Sequence, residues 1–91
     1  MGDISERRKH KLKKTELERK LIKMNIRPDM YSLKGGLPNE KFCLSEANGR
    51  WEVYYSERGN KTGLKEFDNE DDACQCLYDM VYKTSKSMGL I

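Results

Sequence analysis

The sequence predicts a small α+β domain in which two helices cover one face of a three- to four-stranded antiparallel meander. Segments of strand length, separated by turns that contain Gly and Asn, occupy the middle of the 91-residue chain, and helix-forming composition lies on both sides of them. A chain of this length buries only about 60–65% of its unfolded surface. A large enzyme with separate cofactor and substrate domains is therefore excluded.

The first predicted element is a helix over residues 5–25, a segment rich in Lys, Arg, Glu and Leu without Gly or Pro. Leu17, Leu21 and Met24 recur at helical spacing, so the apolar stripe lies in the second half of this helix. Pro28 disfavours helical geometry in the residue before it and ends the element there.

Charge is unevenly distributed along the chain. The first 28 residues hold ten basic and four acidic residues, whereas the remainder holds eight basic and eleven acidic ones, although the net charge is only +3. We predict that residues 1–16 form a basic helical extension or arm and that residues 17–91 form a single α+β domain. The basic N-terminal stretch has no apolar run typical of a secretory signal or a membrane span, so we expect a cytoplasmic protein without a membrane contact.

Four segments of strand length follow, and Asn48-Gly49 between the second and third is the strongest hairpin signal in the chain. The predicted strands are Met30–Lys34, Lys41–Glu46, Arg50–Glu57 and Thr62–Phe67. Side chains alternate between the two faces of a strand, so Tyr54 and Tyr55 must point in opposite directions. We expect Tyr54 to be exposed beside Glu52.

The last predicted element is an amphipathic helix that begins after Asp68 or Asn69 as N-cap and ends near Gly89. Its apolar face recurs at helical spacing and consists of Ala73, Leu77, Met80, Val81 and Thr84. With this helix the order of elements is α-β-β-β-β-α.

Patterns typical of catalysis or metal binding are missing from the sequence. It has one histidine, no G-x-S-x-G and no Gly-rich phosphate loop followed by Lys-Ser or Lys-Thr. Cys43, Cys74 and Cys76 are odd in number and form no C-x-x-C pair, so we expect reduced thiols rather than disulfides or a metal site. We therefore expect neither an enzyme nor a cofactor.

Binding remains as the class of function, and the acidic start of the last helix is one candidate surface. Glu70, Asp71 and Asp72 lie in the first helical turn, where carboxylates stabilise the helix dipole, and this role alone explains them. The same residues would also suit a recognition surface, with Tyr54 as an aromatic anchor that supplies contact area at low entropic cost.

One family resemblance covers residues 28–82. It rests on four stretches: Tyr31–Leu37, Phe42–Leu44, Trp51–Gly59 and Phe67–Cys74. In these stretches the chain resembles the small bacterial immunity proteins of polymorphic toxin systems, which include systems like contact-dependent inhibition. The resemblance implies a cytoplasmic antidote, encoded beside a toxin, that binds the toxin's C-terminal catalytic domain and blocks its active or substrate-binding site.

An acidic surface fits that role because toxin domains that act on phosphate-rich substrates, such as nucleases, have basic clefts. We expect carboxylates and one tyrosine to face the toxin, and we expect charge reversal of the first helical turn to leave the fold intact. The candidate toxin-binding residues are Glu52, Tyr54, Glu57, Glu66, Asp68, Glu70, Asp71 and Asp72.

Two alternatives stay open. The chain could be a small nucleic-acid-binding or regulatory protein that uses its basic N-terminal helix, or a structural or adaptor subunit. The same basic helix could instead contact an acidic region of a toxin. The candidate nucleic-acid-binding residues are Arg7, Arg8, Lys9, Lys11, Lys13 and Lys14. We expect a monomer or a weak dimer formed through Leu12 and the Leu17 and Leu21 stripe.

Overall fold

The computed structural model describes residues 12–89 and confirms the predicted α+β class. Two helices flank a four-stranded sheet, and the sheet order β1-β2-β3-β4 makes consecutive strands neighbours. Helix α1 is Lys14–Lys23 and helix α2 is Glu70–Ser87. The strands are β1 Tyr31–Ser32, β2 Lys41–Ala47, β3 Arg50–Glu57 and β4 Asn60–Phe67, and one turn of 3-10 helix, Pro28–Met30, precedes β1.

Strands β2, β3 and β4 form the antiparallel meander that the sequence predicts. Asn48 and Gly49 both have positive φ angles, of 54° and 79°, as the tight turn between β2 and β3 requires. In β4 the register shifts between the residues that pair with Val53 and Tyr55, so β4 contains a bulge.

The prediction for the first strand was wrong in length and direction. β1 has two residues instead of five and pairs with β2 in parallel, Tyr31 with Phe42 and Ser32 with Cys43. The cause is the connection over residues 33–40, which carries the chain back so that β1 and β2 run in the same direction. The sheet is therefore antiparallel in three strands and parallel at one edge.

The main core lies on the face of the sheet that the helices cover. Leu44 and Val53 from the sheet belong to the same buried cluster as Leu17 and Leu21 from α1 and Leu77 from α2. These side chains are all fully buried. The predicted packing on the sheet is confirmed for α2, which contacts β2, β3 and β4, whereas α1 packs against α2 and adds its side chains to the same cluster. The apolar stripes at helical spacing hold both helices in this cluster.

Leu12 lies in this core and not in a solvated arm. Its side chain is only 7% exposed, and its backbone N–H donates a hydrogen bond to Asp71 Oδ1 at 2.8 Å. Helical periodicity gave no sign of this contact because the two residues are 59 positions apart. Since Leu12, Leu17 and Leu21 are all buried, they are not available for the dimer contact that the sequence suggested.

Helix α1 ends at Lys23, earlier than Pro28 alone predicts. Asn25 turns the chain with a φ of 60°, and the N–H of Ile26 donates to the carbonyl of Leu21 at 3.0 Å. This closing turn buries Ile26 in the core. Helix α2 begins as predicted after Asn69, whose side chain accepts a hydrogen bond from the N–H of Asp72.

Candidate functional site

The residue expected to be an exposed aromatic anchor is buried. Tyr54 is 1% exposed, and its hydroxyl donates a 2.7 Å hydrogen bond to the carbonyl of Gly36. Gly35 lies so close to the sheet that an added Cβ would be 2.8 Å from Ser45 Oγ. Ser45 and Tyr54 lie on the face of the sheet opposite the helices, so the connection between β1 and β2 covers this part of the outer face through Gly35 and Gly36. Tyr54 is therefore not available as a surface anchor.

Lys61 lies over the ring of Tyr54. Its Nζ lies 4.8 Å from the ring centroid and donates a 2.9 Å hydrogen bond to Glu52 Oε1. The hydrogen bond to Glu52 raises the pKa of Lys61, and burial raises the pKa of Tyr54 and of the neighbouring Cys43. Lys61 is thus held as a cation over a neutral phenol.

Charged side chains occupy the exposed part of the outer face along β3 and β4. Glu52 and Glu66 are directly opposite each other in the register of the two strands. Arg50 Nη2 lies 3.1 Å from Glu66 Oε1, and Arg50 Nη1 lies 3.8 Å from Asp68 Oδ1. Each of the two opposed glutamates therefore has its own cation, and the Asp68 side chain stays 87% exposed.

The acidic start of α2 has structural roles that its sequence position does not reveal. Glu70 Oε2 accepts a 2.7 Å hydrogen bond from the N–H of Lys14. Asp71 is buried and holds the N–H of Leu12, so it anchors the segment before α1. Asp72 is exposed and takes part in the Asn69 cap. For Asp71 we therefore expect charge reversal to disturb the fold, in contrast to the expectation from the sequence.

The eight candidate toxin-binding residues fall into three groups. Five of them lie at the end of the sheet where β4 leads into α2, and we call this surface the acidic end: Glu52, Glu66, Asp68, Glu70 and Asp72. Glu57 pairs with Asn60 at the opposite end of the β3–β4 hairpin, and its carboxylate accepts from the hydroxyl of Thr62 at 3.4 Å. Tyr54 and Asp71 are buried.

Of the candidate nucleic-acid-binding residues, the structure describes Lys13 and Lys14. The others, Arg7, Arg8, Lys9 and Lys11, lie outside the described residues. Lys13 and Lys14 lie at the beginning of α1, next to the first turn of α2.

Sequence reasoning missed a second group of cations further along α1. Arg19, Lys20 and Lys23 line a groove of about 500 Å³ between α1 and α2, together with Leu12, Glu16 and Gln75. The sequence analysis selected residues 7–14 because the basic residues of the N-terminal segment are densest there. The signal that would have found the later group is their i, i+1, i+4 spacing, which places them on one side of a helix.

Another open groove, of about 600 Å³, lies at the end of the sheet away from the acidic end. The half-buried rings of Phe42 and Tyr55 line it, with their centroids 4.9 Å apart. Among residues 12–89 no group of three or more His, Cys, Asp and Glu side chains is arranged to hold a metal ion. No helix within the same range combines the length and apolarity that crossing a membrane requires.

Comparison of the chain with known protein families, with curated proteins and with solved structures gave no significant match.

Proposed function

We propose that this chain is an immunity protein that binds a cognate bacterial toxin domain and blocks its active or substrate-binding site. The resemblance over residues 28–82 suggests the class. The arrangement of the acidic end supplies the physical support, since Glu52 and Glu66 face each other across β3 and β4.

Like charges directly opposite each other in a sheet destabilise it. Arg50 and Lys61 offset this repulsion at Glu66 and Glu52. The sheet does not require carboxylates at these two positions, because an uncharged pair would hold the strands together without needing two cations. This cross-strand glutamate pair is the observation that carries the proposal.

The acidic end has the chemistry of a surface that meets a basic cleft. Asp68 is almost fully exposed beside Glu66, and exposed Asp72 follows in the first turn of α2. Negative groups on a rigid sheet and helix terminus accelerate the approach of a positively charged partner through long-range attraction. We therefore propose a toxin domain with a basic cleft, of the kind that acts on phosphate-rich substrates, as the partner.

The first experiment is co-expression with the protein encoded immediately beside this chain, followed by a growth assay and co-purification. We expect the neighbour to be toxic alone, harmless together with this chain, and bound to it in a fixed ratio. A neighbour that is harmless alone and forms no complex would overturn the proposed function.

The second experiment tests the surface with matched charge changes. We expect the double variant Glu66→Gln with Asp68→Asn to associate about tenfold more slowly with the toxin domain at low salt, because both residues are exposed at the acidic end. Glu57→Gln, at the far end of the hairpin, is the control and should associate at the unchanged rate. Equal rates for all three proteins would remove the acidic end from the interface while leaving the immunity function itself standing.

A further inference from the structure

The groove between α1 and α2 carries positive charge that no ion pair within residues 12–89 offsets. Arg19, Lys20 and Lys23 line it against one carboxylate, Glu16, and that carboxylate accepts a hydrogen bond from the N–H of Lys13. The ion pairs among the described residues involve Arg27, Arg50 and Lys61, and none involves a cation of this groove.

A pair of aromatic rings on α2 lies beside the groove, where one of them contacts Lys20. The rings of Tyr78 and Tyr82 stack with their centroids 6.0 Å apart, and the Tyr78 hydroxyl lies 3.0 Å from Met24 Sδ. Lys20 Nζ lies 4.7 Å from the Tyr78 centroid, and Lys86 Nζ lies 6.0 Å from the Tyr82 centroid. A ring face orders a lysine side chain without supplying an opposite formal charge, so these two ammonium groups lie at defined places.

We propose that this groove binds the phosphate backbone of a nucleic acid. Arg19 and Lys23 are one helical turn apart, about 6 Å along the axis, so their long side chains can reach successive phosphates. A protein interface would instead favour an apolar centre, and the lining of this groove is mainly long charged or polar side chains. Lysines lie over the ring faces that bases would need for stacking, so we expect binding without sequence preference.

The groove shares no lining residue with the acidic end, so this proposal does not depend on the proposed function. Among the described residues, Arg50 and Lys61 on the outer face each have a carboxylate partner there, unlike the three cations of the groove. The sheet provides a matched control, because three of its cations can be removed in the same way as the three cations of the groove.

The experiment measures binding of the full chain to a labelled 20-nucleotide single-stranded RNA and to a DNA duplex by fluorescence anisotropy over a range of salt concentrations. The test variant combines Arg19→Gln, Lys20→Gln and Lys23→Gln. The control combines Arg50→Gln, Lys61→Gln and Lys65→Gln on the sheet. Circular dichroism and thermal melting verify that both variants are folded.

We expect the test variant to bind the RNA roughly a hundredfold more weakly at about 0.1 M salt, with a salt dependence reduced by about two charges. The control should keep the salt dependence of the unchanged protein. The single variant Lys20→Arg keeps the charge and should bind the RNA as tightly as the unchanged protein does. Equal weakening of both triple variants would show a net-charge effect and overturn the site. A test variant that binds the RNA as tightly as the unchanged protein would also overturn the site. Displacement of the RNA by an equal charge concentration of polyglutamate would assign the groove to acidic proteins and overturn the nucleic-acid proposal.

Discussion

The two faces of the sheet are closed by different means. On the helix face, apolar side chains from both helices pack against Leu44 and Val53 in one cluster. On the outer face, contacts with the backbone of a connecting segment bury the side chains. The Tyr54 hydroxyl donates a hydrogen bond to the carbonyl of Gly36, and Gly35 packs closely against Ser45. A chain of 91 residues with 36% hydrophobic content supplies one apolar core. The remainder of the outer face carries charged groups.

The comparison predicts the largest loss of stability on the helix face. Leu77→Ala should lower the free energy of unfolding by about 2–5 kcal/mol, because it leaves a cavity in a fully buried site. Leu64→Ala on β4, where the side chain is 44% exposed, should stay within about 0.5 kcal/mol of the parent. Urea denaturation measures both, and similar losses for the two leucines would contradict the assignment of the core to one face.

Alkaline pH should weaken the helix face through Cys74. Burial raises the pKa of this thiol to about 12 from the ordinary value of 9.0. The unfolded chain therefore loses the thiol proton first, so stability is retained below pH 9 and falls as the pH rises from 9 to about 12. The slope from one such group is about 1.4 kcal/mol per pH unit.

Cys74→Ala isolates this contribution from other groups that titrate in the same range. The stability difference between the parent and the variant should narrow above pH 9, because only the parent carries the shifted thiol. Urea titrations at several pH values provide the measurement. A difference that stays constant between pH 8 and pH 11 would refute the role of Cys74.

On the outer face, paired glycine substitutions test how closely the chain of residues 33–40 approaches the sheet. Gly35 and Gly36 both have positive φ angles, of 70° and 83°, so alanine strains the backbone at either position. Only at Gly35 does the new Cβ also meet a side chain, Ser45, at 2.8 Å; at Gly36 the nearest atom is 3.9 Å away. Gly35→Ala should therefore cost about 1–3 kcal/mol more than Gly36→Ala in urea denaturation. Equal costs would mean that this approach is looser in solution.

The helix face could be predicted from the sequence because periodicity is local. Leu17 and Leu21 on α1, and Leu77 and Val81 on α2, recur at helical spacing and are all buried. The Asn48-Gly49 turn and the Asn69 cap were found for the same reason, since each signal lies within four residues.

The outer face could not be predicted because its cover comes from a distant part of the chain. Alternation correctly placed Tyr54 opposite the helices, but the prediction that its side chain is exposed was wrong. The carbonyl that buries it belongs to Gly36, 18 positions earlier. Asp71 was wrongly predicted to be a surface residue for a similar reason, because its carboxylate accepts a hydrogen bond from a backbone N–H 59 positions away. A local pattern gives the direction of a side chain, and tertiary contacts decide whether that direction leads to solvent.

The smallest predicted effect concerns the single hydrogen bond that ties the outer cover to β3. Tyr54→Phe removes the hydroxyl that donates to Gly36 and keeps the ring under Lys61, so it should cost about 0.5–1.5 kcal/mol. Tyr55→Phe is the control, because the half-buried Tyr55 has no hydrogen bond through its hydroxyl among the described residues. If the hydrogen bond fixes the cover, Tyr54→Phe should also make residues 33–40 more sensitive to limited proteolysis, whereas Tyr55→Phe should not. Loss of stability without new cleavage would mean that the Gly35 contact with Ser45 holds the cover by itself, and the outer face would then depend on packing as the helix face does.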